Sequence, residues 1–271
     1  MHPDRRFIFQ ALSEYRKRNH MRMTKWIETG SLLLVMATAS GYSTAQDTSP
    51  DTALAESNRI NYKLTPSYYF SSDNNDAVDL NLRGIVGEHT AWVGVYRDKE
   101  HLQQSRTGYE YRHDFGLVRP VFSAQLATGG FLGGSVTTEI GNSNFAIVGI
   151  GRTNLKDYFN LNFDPNDAIT LGFGSRAISK TELSLFHIWD DRLDTKQHVT
   201  HAVARYKPND TERWTADASY KHGLSGSGEN VQGYALTVTY DFGDYFARLA
   251  RDQHANFSAV SQNRLSIGLR F

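Results

Sequence analysis

The last eight residues, Arg264-Leu265-Ser266-Ile267-Gly268-Leu269-Arg270-Phe271, constrain the fold most tightly. Leu265, Ile267, Leu269 and Phe271 share one parity, and Arg264, Ser266, Gly268 and Arg270 share the other. A strand sends alternate side chains to opposite faces, so this segment has one apolar face and one small or cationic face. The same period recurs upstream. Val78, Leu80, Leu82 and Val86 oppose Asp79, Asn81 and Arg83, while Tyr109 and Tyr111 oppose Arg106, Glu110 and Arg112. Trp214, Ala216, Ala218 and Tyr220 oppose Asp217 and Lys221, and Tyr234, Leu236, Val238 and Tyr240 oppose Asp241. A soluble sandwich buries the apolar parity, whereas a membrane barrel turns it outward to lipid. Periodicity by itself does not separate the two.

The N-terminal end separates them. From Met23 the chain has Lys25 in a short basic region, an apolar core over Ser31–Ala37 and Ser43-Thr44-Ala45 as a small-x-small cleavage site. The apolar run is too short for a spanning helix, which needs about 20 residues. We read 1–45 as a secretory signal with an upstream start extension, 46–58 as a flexible lead-in and 59–271 as the barrel. There is no cysteine, so no disulfide framework or thiolate chemistry is available. The mean hydropathy of -0.49 resembles that of a soluble protein. A barrel gives the same average, because only every second strand residue meets lipid. Residues 1–45 hold seven of the 29 basic and three of the 29 acidic residues, leaving a net charge of about −4 on the remainder. No basic patch stands out, which argues against nucleic acid as a partner.

Turn signals give the topology. Six short connections fall at 87–89, 113–116, 141–144, 177–180, 207–210 and 241–244. Seven longer or more polar ones fall at 71–76, 99–104, 128–133, 153–167, 190–197, 222–230 and 253–262. Together they predict an all-β, antiparallel, up-and-down transmembrane barrel of fourteen strands, with twelve as the alternative. Both chain ends then lie at the short-turn rim, and residues 60–70 pair with the last strand.

Signal, alternation, turn asymmetry and terminal Phe together resemble the Gram-negative outer-membrane β-barrel proteins, over residues 59–271. The ending Leu265-x-Ile267-x-Leu269-x-Phe271 is similar to the C-terminal signal read by the barrel-assembly machinery of that class. The resemblance implies residence among outer-membrane lipid and lipopolysaccharide. By size and lumen chemistry, it also implies a small monomeric channel similar to the acidic-oligosaccharide porins.

Candidate residues follow from parity. The expected lumen bases are Arg83, Arg106, Arg112, Arg152, Lys221, Arg248, Arg264 and Arg270; the acids are Asp79, Glu110, Glu139, Glu182, Asp217 and Asp241. Rings of charge set pore selectivity, and guanidinium groups bind carboxylates or phosphates. Eight bases against six acids imply at most a mild anion preference. The alternative is a packed interior in which these charges pair across strands. The longest connection contains Asp157, Asp164, Asn166 and Asp167 and is expected either to constrict the mouth or to lie on the surface. Its oxygens are of the kind Ca²⁺ uses, but their spacing is not that of a calcium loop, so no metal or cofactor is expected. A lipid-modifying hydrolase is the third reading. It lacks a serine-centred motif, and Ser184/His187 fall on opposite faces of one strand. Trp92, Tyr96, Tyr109, Tyr111, Trp214, Tyr220, Tyr234, Tyr240 and Tyr245 are expected in interfacial belts.

Overall fold

A computed structural model describes residues 60–100, 102–159 and 164–271. The expected signal over 1–45 and lead-in over 46–58 lie outside the described residues. Fourteen strands follow in chain order: β1 (Asn61–Ser71), β2 (Ala77–Val86), β3 (His89–Asp98), β4 (Gln103–Arg112), β5 (Val118–Ala127), β6 (Phe131–Gly141), β7 (Asn144–Thr153), β8 (Ala168–Ser175), β9 (Thr181–Asp190), β10 (His198–Tyr206), β11 (Glu212–Leu224), β12 (Asn230–Phe242), β13 (Tyr245–Asp252) and β14 (Gln262–Arg270). Each pairs antiparallel with its chain neighbours, and β14 closes on β1.

The fourteen-strand reading holds, and so do all six short turns and seven longer connections, within a few residues. The seam is built as the terminal strand requires. Lys63 lies opposite Arg270, and Ser67 lies opposite Ser266, their hydroxyls 2.8 Å apart. Phe271 continues the seam by exchanging backbone hydrogen bonds with Tyr62 at 2.8 and 3.0 Å, its ring stacked on that of Tyr62. The start of β1 and the end of β14 therefore meet at one rim, here called the chain-end rim. The longer connections gather at the other, the loop rim.

Among the described residues no second layer covers the sheet's apolar face. Phe173, Leu249 and Ile267 are 63%, 64% and 59% exposed on the outer wall. Side chains such as these, repeated around the barrel, are compatible with lipid and not with water. The buried set is the opposite parity, which contains Lys63, Asp79, Arg83, Arg106, Asp217, Lys221, Asp241 and Arg248. This inversion is what distinguishes a membrane barrel. Strands spaced about 4.8 Å apart and tilted roughly 40° close fourteen-fold at a backbone radius of roughly 14 Å. Side chains from the wall alone do not fill that width, so what enters the lumen decides its use.

Candidate functional site

Toward the chain-end rim, the interior is lined by cations that share carboxylates. Arg119 Nε donates to Glu139 Oε2 at 3.3 Å, and Arg176 Nη2 donates to the same oxygen at 2.7 Å. Arg176 Nε continues to Glu182 at 2.6 Å, and Glu182 is shared with Arg205. The result is an alternating ladder of three arginines and two glutamates running from β5 to β10. Farther round the wall, Asp241 of β12 is shared in the same way by Arg213 of β11, at 2.9 Å, and Arg270 of β14. Phe246 presents its ring to Lys63 at 4.2 Å, with Arg248 and Arg270 also over it. Arg83 lies 3.7 Å from Glu110. Among the described residues, Lys63, Arg83, Arg112, Arg119, Arg176, Arg205, Arg213, Arg248 and Arg270 line this half with Glu110, Glu139, Glu182 and Asp241. Arg119, Arg176 and Arg270 keep 21%, 31% and 25% of their side-chain surface exposed, so water reaches them.

Arg112 is the focus of this half. It ends β4, and Arg205 lies near the same end of β10. β4 and β10 stand on facing sides of the strand order. The two arginines therefore belong to opposite walls of the barrel.

Toward the loop rim the chemistry changes. Arg106 Nη2 donates to Asp79 at 2.6 Å, both side chains buried, and Lys221 Nζ donates to Asp252 at 2.5 Å. Arg106 lies flat over Gly94, where a Cβ would come within 3.1 Å of its Nη2. The connection after β7 enters the barrel here. Tyr158 stacks on Phe131 of β6 at 4.1 Å between ring centroids, and Phe159 stacks on Tyr96 of β3 at 4.3 Å. Burial pushes the Tyr158 hydroxyl up to about 12. On its return the connection places Asp164 against His201 of β10, with Nε2 to Oδ1 at 3.1 Å. The other nitrogen of His201 meets Asp217 at 3.0 Å, and its ring stacks on Phe186. Phe159 and Asp164 therefore anchor on facing walls. Asp167 fixes the exit: it accepts from the Thr153 backbone N–H at 3.0 Å, the Thr153 hydroxyl, and Arg192 at 2.7 Å. A second connection, with a 3-10 turn at Ala255–Phe257, adds Ala255 to Tyr69, Ala77 and Tyr96, and Phe257 to Val199 and Val231.

No family model matches the chain, and no curated protein matches it. Solved structures do. The outer membrane protein Omp33 of Acinetobacter baumannii aligns over 78% of this chain and 98% of its own, at 10% identity and a TM-score of 0.50. The KdgM porin aligns over 77% and 99%, at 9% identity and a TM-score of 0.45. The fold is that of the outer-membrane β-barrels. At this identity the likeness to Omp33 concerns the path of the backbone; the site stands on its own side chains.

Of the expected lumen residues, Asp79, Arg83, Arg106, Glu110, Arg112, Glu139, Glu182, Asp217, Lys221, Asp241, Arg248, Arg264 and Arg270 share the inward parity. Arg152 does not. It sits opposite Gly134, on the parity of exposed Ile150, and its guanidinium turns to the loop-rim residue Asp191 at 2.6 Å. A charged residue in the last turn of a strand reaches past lipid, so parity there no longer dictates the lumen. Trp92 and Tyr96 are also corrected. They lie opposite Arg83 and Asp79, and directly opposed residues share a face. Both are buried inward, and the flat Trp92 indole leaves room for only a glycine at 108. The remaining belt aromatics have the outward parity. Of the long connection, Asp164 and Asp167 are buried, Asn166 lies between them, and Asp157 is exposed. Lys63, Arg119, Arg205, Arg213, Asp252 and His201 were missed. Alternation with Phe122 would have flagged Arg119, and alternation with Trp214 would have flagged Arg213.

Proposed function

We propose that the barrel resides in the outer membrane of a Gram-negative cell and carries small anionic solutes by passive diffusion. In this reading 1–45 is cleaved on export, the terminal strand is handed to the barrel-assembly machinery, and the outer wall sits as a monomer among phospholipid and lipopolysaccharide. The supporting observation is the sharing of carboxylates in the chain-end half, where Glu139, Glu182 and Asp241 each bridge two arginines, with Arg112 of β4 and Arg205 of β10 on opposite walls. A solute carboxylate or phosphate enters as a further anion among arginines that already share theirs, and it is not held by a closed cage. That arrangement favours passage over retention. Omp33, an outer membrane protein, shares the path of the backbone, which supports the placement in the outer membrane.

Planar-bilayer recording of the refolded barrel tests this. A salt gradient should give a reversal potential of the sign for anions, with discrete unit conductance. No conductance, or cation preference, overturns the proposal in favour of a packed structural barrel.

A further inference from the structure

The outer wall near the loop rim carries three histidines that neither the lumen nor a lipid-facing role uses. His187 of β9, His198 of β10 and His222 of β11 all have the outward parity, and His198 lies directly opposite His222 in register. His187 Nε2 lies 3.0 Å from His198 Nδ1, and His187 Nδ1 lies 2.8 Å from the Thr200 hydroxyl. The His198 and His222 rings stack at 4.7 Å with 14° between planes. His222 is exposed and the other two are half-buried.

From this geometry we infer that His187 and His198 form a binding site for a divalent transition-metal ion of the zinc, nickel or copper type. Two imidazole nitrogens bound to one tetrahedral ion at 2.0–2.1 Å stand about 3.3 Å apart. The observed 3.0 Å needs a few tenths of an ångström of opening. The Thr200 hydroxyl supplies the outer hydrogen bond that a ligating histidine uses to fix its tautomer and ring. With Nδ1–H donating to Thr200, His187 Nε2 carries a lone pair aimed at His198. In the ion-free protein the His198 Nδ1–H fills that gap. The ion replaces this proton, which moves to His198 Nε2, so both rings stay neutral and no net proton is released.

Among the described residues no group of three His, Cys, Asp or Glu side chains is arranged to hold an ion. The site is accordingly of an open kind: two nitrogens from the protein, the other positions left to water. Neutral imidazole suits zinc, copper and nickel, while calcium and magnesium prefer oxygen. His222 acts as a positioning residue, its ring bracing that of His198. An ion held here cross-links β9 to β10 beside their connecting loop.

The experiment uses the full chain, refolded in detergent and without a histidine tag. Nickel or zinc is titrated by calorimetry, and copper by electron paramagnetic resonance. One ion per chain is expected, with nitrogen hyperfine structure for copper. H187A and H198A should each weaken binding by about tenfold or more, with smaller losses for T200V and H222A. H187Q/H198Q serves as the second variant, and heat-modifiable electrophoretic mobility checks that it folds. No binding by the parent chain, or unchanged binding by the double variant, overturns the inference.

Discussion

The two halves of the lumen are made from the same strands and obey opposite rules. In the loop half each buried cation has its own carboxylate, as Arg106 has Asp79 and Lys221 has Asp252. Aromatic rings from two inward connections fill the space between. In the chain-end half one carboxylate serves two cations, as Glu139, Glu182 and Asp241 each do. The difference follows from water. A dry charge needs a dedicated partner, since a buried ion left alone costs several kcal/mol, on the order of 3–5. A wet one does not: Arg119, Arg176 and Arg270 keep solvent contact and share their carboxylates, while Lys63, Arg83 and Arg248 of the same half are buried. The loop half is thus built to hold a shape, and the chain-end half to hold a field.

The largest effect should come from breaking the field. Reversing Arg112 and Arg205 together, as R112E/R205E, changes the facing pair from two positive charges to two negative ones. The reversal potential in a salt gradient should change sign. Neither residue has the dry, one-to-one pairing of Arg106, so the variant should still fold. If selectivity stays with anions, the chain-end half does not set it.

A smaller and different effect should follow from loosening the shape. D164A removes the contact of the inward connection with His201, while Tyr158–Phe131, Phe159–Tyr96 and the Asp167 hub remain. Unit conductance should rise and become noisier, since one anchor of a constricting segment is lost. The anion-to-cation ratio should hold. A ratio shifted as far as in R112E/R205E would erase the division of labour between halves.

Much of this was legible in the sequence, and the shortfall has physical causes. Alternation marked the two faces of nearly every strand, because lipid outside and water or charge inside each enforce one parity. Gly87, Gly141, Pro208 and Gly243 punctuated the turns, so strand number and seam were readable from Arg264–Phe271 and its predecessors. What stayed hidden depends on neighbours distant in the chain. Trp92 and Tyr96 looked like interfacial aromatics by type; only their register against Arg83 and Asp79 turns them inward. Arg152 had an uncertain parity at a strand end. Arg205 and Lys63 join the interior only through register, so a count by parity alone leaves them out. Asp164 could be named as unusual, but its partner His201 lies 37 residues away, and no spacing rule joins them.

The smallest predicted effect compares the two rims instead of the two halves. At the loop rim, the Lys99 ammonium bonded to Asp76 at 2.6 Å, helped by the Ser71 N–H, holds the Asp76 carboxyl below the usual aspartate range. At the chain-end rim, His113 bonded to Glu88 at 2.6 Å does the same for Glu88, with Tyr111 assisting. Both shifts are depressions, so each carboxylate binds a proton more readily in the unfolded chain than in the folded one. The stability they contribute is therefore fully present above ordinary carboxylate values, about 4, and is lost as pH falls through the lower folded values. Solvent screens both contacts, so each loss is slight. Urea unfolding midpoints of the vesicle-inserted barrel should fall modestly between pH 5 and pH 3, and D76N or E88Q should each flatten part of that slope. Sodium chloride at molar strength should flatten it in the parent. A midpoint that rises on acidification would mean the carboxylates sit above their ordinary values and would reverse the sign assigned to both rims.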